Sequence, residues 1–185
     1  ASASFLLALM SKESSITFLG IFPLAINFFI GTPIKKQLQL YCSLAIVTVL
    51  FLFIRSGVTG SMVTMPHSGI DNLLVNAPDY AHRFATATFI MGLYFKLFFF
   101  PHPLVFDYSF NQIPVIGLSD YRFIISFTVI IALALLAFIQ FKKKSWISFG
   151  ILFFFITASI SSNLLILIGT SMAERLMFTP SLGWC

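Results

Sequence analysis

Two neighbouring stretches, FTVIIALALLAFIQF (127–141) and ISFGILFFFITASI (147–160), are apolar around their whole circumference. A barrel strand would alternate apolar and polar residues over segments of about ten. A helix on the surface of a soluble domain would keep one polar face. With neither pattern present, the stretches read as helices surrounded by lipid. Working outward, further apolar runs occupy 14–30, 38–54 and 82–100, and the two quoted stretches belong to runs at 123–141 and 146–168. Each approaches the twenty or so residues that cross a bilayer. The expected fold is all-α, a polytopic membrane helical bundle formed by one transmembrane domain over 1–185.

Composition agrees. Of 185 residues, 58% are hydrophobic and 24 are Phe, while only 9% are charged, against about a quarter in an ordinary globular domain. The net charge of +5 comes from 11 Lys and Arg against 6 Asp and Glu. The basic residues stand singly or between apolar runs, so they form no face able to neutralise a row of phosphates, and a nucleic-acid partner is excluded. They read as topology signals. Cys42 and Cys185 are too far apart to make a disulfide framework or a metal site, and His67, His82 and His102 lack ligand spacing. Residues 1–11 (ASASFLLALMS) read as the last turns of a truncated helix. No basic region precedes them as in a signal peptide, and the chain is expected to be an internal part of a longer membrane protein.

Punctuation by Gly and Pro marks 57–81 and 101–121 as extracytoplasmic loops. The lysines then pose a parity problem. If Lys35-Lys36 and Lys142 to Lys144 are both cytoplasmic, an even number of crossings separates them, yet three candidates lie between. The run 82–100 carries Arg83 and Lys96 and is flanked by both irregular stretches. It is therefore expected to be a re-entrant or interfacial helix. Ser11 to Glu13, 57–121 and 172–180 then share the extracytoplasmic side.

Charges near a membrane are costly unless paired, wet or snorkelling, and so mark candidate sites. Lys12 and Glu13 form an adjacent ion-pair candidate. Ser171 with Glu174 three residues on has the spacing of a helix-capping box, while the guanidinium of Arg175 suits a phosphate or carboxylate. Arg55, Arg83, Lys96 and Arg122 stand at ends of apolar runs, where snorkelling explains each singly and an anionic lipid head group would explain them together. Asp107 and Tyr108, in FPHPLVFDYSFNQIP (100–114), offer a carboxylate and a phenol among aromatic rings, equipment for a sugar or peptide and equally for an aromatic belt. There is no glycine-rich phosphate loop, metal-ligand cluster or G-x-S-x-G elbow.

Three segments are distinctive as a set: LALMSKESSITF (7–18), FDYSFNQIP (106–114) and GTSMAERLMFTPSLGWC (169–185). Together they resemble the transmembrane and tetratricopeptide-repeat O-mannosyltransferase family and its bacterial relatives, multi-spanning GT-C type glycosyltransferases. The loop around 57–82 is similar to the start of that family's internal domain of unknown function. The resemblance implies a GT-C-like bundle that transfers a sugar, mannose or similar, from a polyprenyl-phosphate donor to a protein hydroxyl on the extracytoplasmic face. It implies a catalytic aspartate in a loop before residue 1, so no catalytic base is assigned within this chain. Lys12, Glu13, Glu174 and Arg175 become active-face residues: the arginine neutralises the departing lipid phosphate, and the carboxylates orient it or a bound divalent cation. Arg55 and Arg83 join the lipid-phosphate group, and Asp107 and Tyr108 the acceptor or sugar wall. The resemblance further implies tetratricopeptide repeats beyond residue 185, where a protein acceptor would be recruited. Without them a lipid or glycan acceptor is open. The location implied is the inner membrane in a bacterium or the endoplasmic reticulum in a eukaryote. A polytopic transporter would place polar residues at mid-membrane; a non-catalytic scaffold would not depend on Arg175 or Glu13.

Overall fold

The computed structural model describes residues 2–59, 69, 71–105, 108 and 112–185. These residues form helices and turns, with no strand among them. They pack as two compact units, Ala1–Thr64 and Met65–Cys185.

The first unit contains α1 (Ser2–Ser11), α2 (Phe18–Ala25) and α3 (Ile34–Thr59). Between α1 and α2 the chain tightens into a 3-10 turn, Glu13–Thr17. Pro23 lies inside α2, and the five residues after Ala25 widen into a π-helical turn, Ile26–Ile30. Proline removes one amide donor and crowds the preceding carbonyl, so a change of helical pitch beside it is the physical response. Gly31 then adopts a left-handed φ of 64° and closes the turn with its N–H on the Ile26 carbonyl, a conformation that glycine reaches without a Cβ clash. Phe5, Leu9 and Leu44 form the small core, with Phe5 and Phe22 edge to face at 5.9 Å.

The second unit contains α4 (Tyr80–Phe99), α5 (Tyr121–Phe141), α6 (Trp146–Ala158) and the four-residue α7 (Phe178–Ser181). Three of these begin at side-chain caps. Asp79 accepts the His82 N–H, Asp120 that of Arg122 and Ser145 that of Ile147, each satisfying a donor the helix leaves open. The core is built on one face of α4, where Ala87, Ile90, Met91, Tyr94 and Phe95 meet Phe154 and Ala158 of α6 and Met172 and Met177 beyond it. Phe95 lies 4.7 Å from Phe154, and Trp184 closes the same aromatic group. Gly150 and Gly183 approach so closely that a Cβ on either would strike the other's carbonyl oxygen.

The segments Glu13–Ile30, Ile34–Val58 and Tyr121–Phe141 are long and apolar enough to cross a membrane. At about 1.5 Å per residue, 21-residue α5 matches the roughly 30 Å hydrocarbon thickness, and its Phe138 is 79% exposed with no polar group to excuse it. The chain is thus an all-α bundle with several membrane-length helices. The expected span at 146–168 is helical only over Trp146–Ala158. Ser159, Ser161 and Ser162 turn their hydroxyls back onto carbonyls three residues earlier, offering the backbone an alternative to helix. Asn163 then takes a left-handed φ of 58°.

Candidate functional site

The segment after α6 is fixed by two buried amides. Asn72 Nδ2 donates to Asn163 Oδ1 at 2.9 Å and to the Ile168 carbonyl at 2.7 Å. Asn163 Nδ2 donates to the carbonyls of Thr170 and Ser171, and its Oδ1 also accepts the Ile168 N–H. Both residues are fully buried, where an unmet amide would be costly, and this network meets the needs of both side chains. Tyr94 of α4 continues the clasp: its hydroxyl donates to the Ala173 carbonyl and accepts the Ala173 N–H. Glu174 and Arg175 therefore follow a segment pinned by these hydrogen bonds and stand in a 3-10 turn, Glu174–Met177.

The capping box expected of Ser171 and Glu174 does not form. Ser171 Oγ accepts the Leu73 N–H, and Ala173 occupies the cap position with no side-chain bond. Glu174 turns instead to the 101–108 segment, where its Oε1 accepts the Val105 N–H at 2.7 Å and the Tyr108 hydroxyl at 3.2 Å. Burial, then the nearby Glu174 charge, raises the Tyr108 phenol above its ordinary 10.0, which keeps it a neutral donor. Asp107 lies outside the described residues.

Glu174 and Arg175 line a cavity of about 320 Å³ with Tyr94, Leu97, Phe98 and Leu104. Arg175 is exposed at its edge. An apolar and aromatic pocket with one guanidinium at the rim has the chemistry to seat an amphiphile whose anionic end meets the arginine and whose apolar part meets the wall.

In the first unit, Glu13 pairs with Arg55 near the end of α3, Nη1 to Oε2 at 2.5 Å, rather than with its neighbour Lys12. Chain adjacency misled the sequence reading because successive side chains diverge, whereas the 3-10 turn points Glu13 at α3. Lys12 is exposed. The same unit has an apolar cavity of about 460 Å³ walled by Phe5, Phe18, Phe22 and Leu44.

Arg83 is not brought to Glu174 and Arg175. Their cavity meets α4 at Tyr94 and beyond, eleven or more residues along the helix and so roughly 16 Å away. Arg122 is held by Asp120 through two side-chain bonds of 3.0 and 2.8 Å and lies over the Phe89 ring. The guanidinium and the Arg122 N–H together lower the Asp120 carboxyl. Lys96 is exposed in the last turn of α4. Among the described residues, no three His, Cys, Asp or Glu side chains come together as a metal site. Asn72, Asn163 and Tyr94 escaped the sequence reading. The one available signal was the polar run SISSN (159–163) inside an apolar stretch.

Residues 64–134 match the family model described as Protein O-mannosyl-transferase TMTC, DUF1736. Protein O-mannosyl-transferase TMTC1 of Mus musculus is 30% identical over 147 residues, covering 75% of this chain and 15% of that protein. Protein O-mannosyl-transferase TMTC4 of Homo sapiens is 29% identical over 136 residues, covering 66% of this chain and 16% of that protein. The chain thus spans about 15% of the length of the curated relatives it matches. No solved structure matches it. A helical chain with several membrane-length helices, carrying a buried-amide scaffold that presents Glu174 and Arg175 to an apolar cavity, thus matches the TMTC O-mannosyl-transferase family at family level over part of its length.

Proposed function

We propose that the chain is part of a membrane glycosyltransferase that moves a sugar, mannose or a similar hexose, from a polyprenyl-phosphate donor to a protein hydroxyl on the extracytoplasmic face. The observation that carries this reading is the cavity at Glu174 and Arg175, taken together with the family match. Breaking the bond between the sugar and a lipid phosphate leaves negative charge on the phosphate oxygen. A fixed guanidinium at that oxygen stabilises the transition state more than the ground state, which is the requirement for rate enhancement. Arg175 takes that role. Glu174 is the positioning residue: bound to Val105 and Tyr108, it holds Tyr108 of the sugar or acceptor wall. Lys12, Glu13 and Arg55 supply a charged group at the extracytoplasmic end of the first unit. The general base is assigned to another part of the protein.

A bound divalent cation, which the resemblance allows, would meet a carboxylate whose Oε1 already accepts the Val105 N–H and the Tyr108 hydroxyl. No step here is routed through a metal.

The test is sugar transfer by the full-length protein from a polyprenyl-phosphate sugar, comparing wild type with Arg175→Ala and Arg175→Lys. Loss of a charge-stabilising donor predicts a fall of about 10²-fold in kcat for the alanine variant, with partial recovery for lysine. Unchanged transfer by a normally folded Arg175→Ala protein would overturn the assignment.

A further inference from the structure

A third cavity, of about 290 Å³ and more polar than the other two, lies beside the start of α4. It is lined by Leu74, Val75, Asp79, Tyr80, Arg83 and Leu167 among others, with room for roughly ten water-sized groups. Arg83 is half-buried, and its Nε is fully buried with no hydrogen-bond partner among the described residues. By contrast, Arg122 is satisfied by Asp120. Arg83 is one of the cavity's lining residues, so its positive charge is what an anion entering the cavity would meet.

The level of this cavity follows from α5. That helix is long enough to cross the membrane, so its first turn marks a membrane surface. Thr86 Oγ1 accepts the Ile116 N–H at 3.0 Å and donates to the Ile116 carbonyl, and Phe84 lies 6.0 Å from Phe123. Arg83 is therefore held beside the first turn of α5, the level at which a helix crossing the membrane from that turn would meet lipid phosphates. Tyr80 of the cavity's own wall is 69% exposed, and Leu165, two residues before the lining Leu167, is 73% exposed, an aromatic and an apolar side chain of the kind found where acyl chains meet head groups.

The charges narrow the ligand. Among the described residues, the cavity's lining carries one cation, Arg83, and one carboxylate, Asp79. Both of the His82 contacts to Asp79 fall on Oδ1, and Oδ2 takes neither. A dianion would gain from Arg83 but be repelled by Asp79. A group with a phosphodiester at one end and a hydrogen-bonding ammonium at the other is complementary to both. We propose that this cavity is a binding site for the head group of a phosphoethanolamine lipid, with the phosphate on Arg83 and the ammonium on Asp79. The site is separate from the cavity at Arg175, and the proposal does not depend on transferase activity.

The experiment is native mass spectrometry of the purified, delipidated full-length protein, offered phosphatidylethanolamine, phosphatidylcholine, phosphatidylglycerol or diacylglycerol. The expected result is that phosphatidylethanolamine is retained at least tenfold better than phosphatidylcholine, whose trimethylated amine donates no hydrogen bond. Arg83→Gln should lower that retention at least tenfold. Asp79→Ser keeps a capping oxygen for α4 and should abolish the preference over phosphatidylcholine while leaving binding. Equal retention by Arg83→Gln, equal retention of diacylglycerol, or tighter retention of phosphatidylglycerol would each overturn the proposal. Displacement of the lipid by soluble glycerophosphoethanolamine at equal concentration would overturn the lipid assignment. Should Arg83→Gln not fold, Asp79→Ser decides alone: a preserved preference for phosphatidylethanolamine refutes the site, and a lost one supports it.

Discussion

Asn72 and Asn163, 91 positions apart, share a 2.9 Å side-chain hydrogen bond in a site closed to solvent. Through that bond and its neighbours, the loop before α4 holds the loop after α6, and Glu174 and Arg175 hang from the latter. Removing one amide strands several partners. Asn163→Ala leaves the Asn72 amide and the Ile168 N–H without their Oδ1 acceptor, at about 1–3 kcal/mol for each buried group. It also forces alanine into a left-handed φ. Asn163→Gly removes the same bonds but relieves the backbone, so it should be the milder variant by about 1 kcal/mol. Thermal denaturation in detergent measures both; equal stability of Asn163→Ala and wild type would show that the network carries no load.

Tyr108 gives a pH signature for the Glu174 contact. Its folded-state phenol is raised above 10.0, first by burial and then by Glu174. The folded state therefore holds this proton longer than the unfolded chain does. The corresponding stability is complete below pH 10 and declines as pH rises through the raised folded value. Ultraviolet titration of phenolate should show one late-ionising tyrosine that disappears in Tyr108→Phe. In Glu174→Gln it should move only part of the way back, because burial, the larger cause, remains.

Gly150→Ala tests how the C-terminal turn seats on α6. The new methyl would collide with the backbone carbonyl of Gly183, which cannot rotate aside as a side chain would. Overpacking of this kind costs about 1–3 kcal/mol. The displacement should also separate Trp184 from Phe95 and Phe154, changing tryptophan emission. A fully stable variant with unaltered emission would contradict the close approach.

Membrane placement of α4 is open to cysteine labelling in a background lacking Cys42 and Cys185. Asn76 and Leu104 flank α4 on exposed ground, and Ser145 follows α5. The parity of the lysine clusters predicts labelling of Asn76→Cys and Leu104→Cys from one side and Ser145→Cys from the other. Labelling of positions 76 and 104 from opposite sides would mean that α4 crosses.

The sequence by itself determined the class of this protein: apolar runs without a polar face, separated by Gly, Pro and Lys, specify membrane helices through composition and period alone. It also marked Glu174, Arg175 and Tyr108, because charge and phenol are conspicuous against 58% hydrophobic residues. Their partners were decided only by the tertiary structure. A capping box and an adjacent ion pair are local patterns, and in both cases a contact distant in sequence prevailed: Glu174 with Val105 and Tyr108, Glu13 with Arg55. The end of α6 at Ala158 likewise needed the fold, since serines and an asparagine are tolerated in a membrane helix until a buried partner, here Asn72, rewards leaving it. Periodicity is a property of one segment, whereas satisfying a buried amide or carboxylate depends on whichever segment packs against it.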